Sequence, residues 1–445
     1  MTDIFGRRKG LILCYAFFAI GNLLCGLAKH LWLFLVGRIC QGIGIGALGS
    51  ITSFIESDLV PLRKRALIEG IGNVMYGATL ALGGLYGGPI NEAIGWKWAF
   101  LIQVPLIVID SILVLATLRI PNEPAKAGSK GSIDYIGCIL LLIAITFFQS
   151  GLSVGSSTSW DAPFAISSLA IAGTSFAAFI YYDLFHTRNP VLPLRDLTQR
   201  TIASSQLSFF FNSAASGSIS FYVPIYLEIL GNSPTSTGLR FIPYAIAFGL
   251  GSFIAGYLVK ITGRYYFINV FIQASCLAAA IGICTMNERT PPVAPYLYLT
   301  LFGLGTGGSY VTRLMGLLSS AENEKQAVIQ AASWTINITG FTTGITAASA
   351  VFLKLSLPEL EGVLGEQPQV LNAIRASFEA VNSLGSEKEQ VVRIYLRALK
   401  GVFYLSMGEM AVSALVSLCM ENNVVSNEMD EKIMEKKEDK VSGTS

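Results

Sequence analysis

A few charged and polar groups stand where charge is expensive, inside long apolar runs. Arg38 lies about two turns into the run 31–56, where a permanent cation costs several kcal/mol unless it reaches the headgroups or faces a polar interior. Gln41 follows one turn later on the same helical face, so a cation and an amide can point into one space. Asp110 and Glu409 are the deepest carboxyls, and a carboxyl in hydrocarbon holds its proton, which makes each a proton carrier or a tolerated buried acid. This is chemistry of binding and proton exchange. No nucleophile triad or metal-ligand spacing accompanies it, and His30 and His186 stand alone at run ends, so the sequence reads as a non-enzyme without cofactor or metal.

Weaker candidates surround these. Asn73, Gln206, Asn212, Gln330 and Asn337 can hydrogen-bond either a ligand or a neighbouring helix. Tyr76, Phe209, Phe210, Phe211 and Trp334 offer faces to a cationic substrate or simply pack. Glu56 and Asp58 fall near a span end, where they cap helices or pair with Arg63. Arg313 sits deeper, facing a cavity or reaching toward the interface.

The elements that position them follow from composition. Hydrophobic residues make up 52% of the 445 and charged residues 13%, which excludes an ordinary soluble fold and implies an all-α polytopic membrane protein. Runs long enough to cross a bilayer fall at 11–28, 31–56, 66–92, 97–119, 133–153, 163–185, 200–229, 237–260, 266–286, 294–319, 326–354 and 398–420, about twelve spans. With the first decapeptide cytosolic, fifteen Lys and Arg fall on that side: residues 7–9, 63–65, 119, 126, 130, 188, 195, 200, 260, 264 and 325. Only Lys29, Lys97 and Arg289 fall on the other, so both termini are expected in the cytosol. Residues 1–119 read as one bundle, 120–199 as two linker spans, and 200–420 as a second bundle with an outer loop at 355–397 and a short helix near Gln369 to Ala380. Residues 421–445 read as a charged, disordered tail.

Glycines four apart, at 42 and 46, 83 and 87, 84 and 88, 303 and 307, and 340 and 344, are read as helix-packing seams. The runs GIGIG and GLGTGG carry no Lys and Ser/Thr of a phosphate loop, so ATP-driven pumping is excluded and uphill transport would need an ion gradient. A net charge of +2 in scattered loops argues against nucleic acid, and the seven cysteines, all in apolar runs, read as small hydrophobes.

Several motifs resemble those of major facilitator transporters. MTDIFGRRKG matches the end of the loop signature through Asp3, Gly6, Arg7, Arg8 and Lys9, and RICQGIGIGA (Arg38 to Ala47) matches the signature R-x-x-Q-G-x-G-x-G-A. GATLALGGLYGGP resembles the antiporter signature, with Gly84 where its proline belongs. SDLVPLRKRA, GWKWAFLIQVPL, FYVPIYLEILGNSPTSTGLRFIP and GYLVKITGRYY look like the fourteen-span fungal branch of drug:proton antiporters, the last two like its vacuolar basic amino acid transporters. The resemblance implies two six-helix bundles rocking around a midplane site, a gate at Asp3, Gly6, Arg7 and Arg8, and proton coupling through Arg38. It implies a monomeric carrier in the lipid bilayer that exchanges protons for basic amino acids or small organic cations at the vacuolar membrane, or exports toxins at the plasma membrane. Relative to that branch two N-terminal spans are expected to be missing, which leaves a transport-dead protein or sensor as the reading of another class.

Overall fold

The structure is a computed structural model, and it describes residues 7–117, 134–186, 192, 194–364 and 388–422, apart from positions 61, 233, 288, 289, 292, 323 and 324. Its elements are helices α1 (Arg7–Leu27), α2 (Leu31–Leu59), α3 (Leu62–Ile94), α4 (Trp96–Leu101), α5 (Gln103–Thr117), α6 (Tyr135–Ser157) and α7 (Pro163–Phe185). The second half contains α8 (Leu194–Leu197), α9 (Arg200–Ile229), α10 (Pro234–Thr262), α11 (Tyr266–Cys284), α12 (Ala294–Ser320), α13 (Gln326–Leu364) and α14 (Lys388–Ser417). Every predicted span coincides with a helix or, for 97–119, with the pair α4 and α5. That pair breaks ahead of Pro105, whose ring has no N–H to give and crowds the carbonyl four residues back. Among the described residues nine segments are long and apolar enough to cross a membrane. The three long helices outside that set, α3, α9 and α12, carry the polar and glycine-rich sequences, and α9 and α12 are also the most enclosed by protein.

Local signals set the joints. Asp134 caps α6 by accepting from the Gly137 N–H at 2.8 Å, and Pro163 and Pro295 open α7 and α12, where a missing N–H costs nothing. Gly231 and Gly263, with φ of 90° and 65°, turn the chain between α9, α10 and α11.

The expected outer loop is shorter than predicted. α13 continues to Leu364 and α14 begins at Lys388, because Leu360, Val391 and Tyr395 are buried together and Arg397 reaches both Glu359 oxygens, at 2.8 and 3.0 Å. Apolar counting misses such amphipathic helix ends. The predicted helix near 369–380 and the tail beyond residue 422 lie outside the described residues, while Glu421 is held by its N–H donating to Thr201 Oγ1.

Helix contacts bear on the glycine seams one by one. A Cβ on Gly303 or Gly307 would meet α10 backbone at Tyr244 and Phe248, and one on Gly340 or Gly344 would meet α9 backbone at Phe210 and Ala214. A Cβ on Gly42, Gly46, Gly83 or Gly87 would meet nothing within 4 Å among the described residues, so spacing alone does not make a seam. The seam joining the two halves is α3 against α10: Gly70 lies on Ser252, Gly77 on Ala245, Gly249 on Val74 and Gly256 on Ala66. Gly344→Val should therefore prevent accumulation of folded protein, since the obstacle is backbone, whereas Gly42→Val should be tolerated; size-exclusion recovery of the two variants checks this.

Candidate functional site

α3 and α13 start at the same end of the bundle and run the same way, and two polar rungs one turn apart join them there. Arg65 Nη1 donates to Gln326 Oε1 at 2.9 Å, and Gln330 Nε2 donates to Glu69 Oε1 at 3.0 Å. The spacing of four on each helix repeats the contact because residues four apart share a helical face. Arg65 Nε also holds the Val60 carbonyl at 2.8 Å, and Gln326 Nε2 holds that of Leu318 at 3.1 Å, so the first rung is clamped from both sides. In the turn before α13, Lys325 bridges Glu322 at 3.0 Å and Asp196 at 3.1 Å; these carboxylates raise its pKa above the ordinary lysine value.

The third partner arrives from α2. Glu56 lies within hydrogen-bonding reach of Glu69, with Arg65 beside both. Two carboxyls can hydrogen-bond to each other only by holding a proton between them. The sequence places Glu56 at a helix end, capping it or pairing with Arg63, whose side chain lies outside the described ones; Glu56 lies in the last turn of α2, beside Glu69.

Above the second rung the exposed Tyr76 of α3 and Trp334 of α13 outline a cleft between the two helices. Asn73 and Tyr76 follow Glu69 on its face of α3, as Trp334 and Asn337 follow Gln330 on α13. Tyr310 of α12 forms the floor, 6.0 Å from the Trp334 ring and 5.5 Å from that of Phe209. Trp334 and Tyr76 are 36% and 54% exposed, and Asn73 Nδ2 is buried without a hydrogen-bond partner among the described residues. Three predicted substrate candidates, Asn73, Trp334 and Asn337, thus fall on two facing helix surfaces. Gln206 and Asn212 are buried elsewhere, donating to Ser333 Oγ at 2.7 Å and to Met410 Sδ at 3.5 Å, and they tie helices together.

Arg313 neither faces the cleft nor reaches an interface. It is 1% exposed, its Nε and Nη1 donate to the Ser309 and Ser208 carbonyls at 2.9 and 2.7 Å, and its Nη2 donates to Ser309 Oγ at 3.0 Å. Phe209 stacks 4.5 Å from the guanidinium, so its cation–π partner is internal. Backbone carbonyls and an aromatic face replace water around the charge.

The other predicted residues lie apart from this cluster. Arg38 Nη1 donates to Gln41 Oε1 at 2.9 Å, with Gln41 buried against α1 and Arg38 exposed. Asp110 is exposed on α5 and hydrogen-bonds with Tyr15 of α1. Glu409 is partly buried and accepts from Ser218 Oγ at 3.5 Å. Arg8 donates to the Leu115 carbonyl in the last turn of α5, where a cation meets the negative end of the helix dipole. Asp3, Gly6 and the side chain of Arg7 lie outside the described residues.

Against known proteins, residues 1–345 match the sequence model of the Major Facilitator Superfamily. The chain belongs to that superfamily. It is therefore a membrane-spanning transporter of small molecules and not an enzyme. The vacuolar membrane amino acid uptake transporter fnx2 of Schizosaccharomyces pombe is 32% identical over 409 residues, which is 91% of this chain and 70% of that protein. The multidrug resistance protein fnx1 of the same yeast is 29% identical over 423 residues, 93% of this chain and 79% of that one. The solved structure of the proton:xylose symporter XylE aligns over 79% of this chain and 80% of its own at 14% identity and a TM-score of 0.49.

Within this major facilitator chain, Glu69 is the functional candidate that sequence reading passed over. It sits three residues into the run 66–92, close enough to the RKR cluster to look like an ordinary interface charge. Its signal was the spacing to Asn73 and Tyr76 on one face; the partner face on α13 is more than 250 residues away and visible only in the fold.

Proposed function

We propose that this protein is a proton-coupled carrier of basic amino acids or small organic cations at the vacuolar membrane, with the rungs at Arg65 and Glu69 on the cytosolic side. One observation carries the reading: two carboxyls within hydrogen-bonding reach of each other, Glu56 and Glu69, lie at the foot of an aromatic-sided cleft between α3 and α13. A site of this kind can hold a proton or an organic cation, which is what an exchanger of the two requires. The similarity to a vacuolar amino acid uptake transporter supports the substrate class and the compartment. A second reading, toxin export at the plasma membrane, is favoured by the similarity to a multidrug resistance protein. The test is ATP-energised uptake of labelled lysine, arginine and histidine into vacuolar vesicles carrying the chain. Uptake that a protonophore abolishes is expected. No uptake, together with increased drug tolerance of whole cells, would favour the second reading.

A further inference from the structure

We propose that Glu69 is the counter-charge that selects a cationic substrate, the cation taking the place of the proton that Glu69 shares with Glu56. The inference rests on the reading of this chain as a cation carrier and names the atoms that would make it one. Gln330 fixes one Glu69 oxygen at 3.0 Å, leaving the rest of the carboxyl to Glu56 and to the cleft above. The helix face above offers what a guanidinium or ammonium with an amino-acid backbone can use: the rings of Tyr76, Trp334 and Tyr310, and the buried Asn73 Nδ2, without a hydrogen-bond partner among the described residues and a donor suited to a carboxylate.

The exchange balances one for one. The substrate brings one positive charge between the two carboxylates, the shared proton leaves to water on the side to which the cleft is open, and the net charge of the site is unchanged. Among the described side chains, the charged and titratable groups around it are Glu56 of α2, Arg65 and Tyr76 of α3, and Tyr310 of α12, while α13 presents the neutral Gln330 and Trp334. Arginines and tyrosines keep their charge state between about pH 5 and about pH 8, so the two carboxyls set the pH dependence over that range. Because proton and substrate compete, lowering the pH weakens substrate binding.

The test is equilibrium binding of labelled L-arginine, and of its uncharged isostere citrulline, to the full chain in lipid nanodiscs. The native chain should prefer arginine by about tenfold or more at about pH 8 and lose much of that preference by about pH 5. Glu69→Gln should bring the two probes to within about twofold of each other at both pH values, and Glu69→Asp should keep the preference. A Glu69→Gln chain that still prefers arginine, or a native preference that does not change with pH, overturns the proposal. The native titration decides the matter even if Glu69→Gln does not fold. Equal binding of the two probes by the native chain overturns the proposal while vesicle uptake can still uphold the carrier reading; absence of arginine binding overturns both.

Discussion

Arg313→Ala should destabilise the folded protein by about 3–5 kcal/mol, the largest single-residue effect expected in the second half of the chain. The side chain is fully enclosed, so its removal leaves a cavity and frees the Ser208 and Ser309 carbonyls in a place where water does not replace the guanidinium. The rest of the local network remains polar: Gln273 Nε2 donates to Ser208 Oγ at 3.1 Å, and Ser208 Oγ lies 3.0 Å from Ser413 Oγ. Arg313→Met separates the two contributions. It fills most of the volume without a charge to desolvate, and it should cost less than half as much as alanine. Thermal unfolding of the three proteins in one detergent checks the order; equal melting temperatures for Arg313→Ala and the native chain would show that the buried charge holds nothing together.

Arg65→Ala should open the end of the bundle at which α3 and α13 are joined. It removes the rung to Gln326 and the hold on the Val60 carbonyl, and it leaves the carboxyls of Glu56 and Glu69 without the cation beside them. The loss should amount to about 1–3 kcal/mol, which shifts a closed–open equilibrium by roughly 5- to 150-fold. Hydrogen–deuterium exchange of residues 62–70 and 326–332 is the measurement, with faster exchange in both segments expected. Arg65→Lys should restore only part of the protection, because an ammonium on a flexible stem does not reproduce the two N–H directions that hold Gln326 and Val60 at once. Unchanged exchange in Arg65→Ala would mean that the glycine seam between α3 and α10 keeps this end closed by itself.

The glycines show how far local patterns reach. Gly303 and Gly344 stand four from a partner and lie on backbone, while a Cβ on Gly42 or Gly83, at the same spacing, would meet nothing within 4 Å among the described residues. The pattern reports that a helix face is small, and only the packing decides whether another helix occupies it. The same holds for charge. Arg38 and Gln41 were readable as a pair because both sit on one helix, one turn apart, and they hydrogen-bond. Glu69 was not readable as a site residue, because its partners Glu56 and Gln330 come from two other helices.

The sequence by itself determined the helical, membrane-spanning class, the position of each span and the motifs that place the chain in its superfamily, because hydropathy and helix period act over about twenty residues of contiguous chain. Tertiary structure decided which polar residues meet. Asn73, Trp334 and Asn337 continue the helix faces that the Glu69–Gln330 contact brings opposite each other, while Gln206 and Asn212, also within apolar runs, end between packed helices. The physical reason is that a span's composition constrains its depth in the bilayer, whereas its rotation about its own axis is settled by the neighbours it packs against.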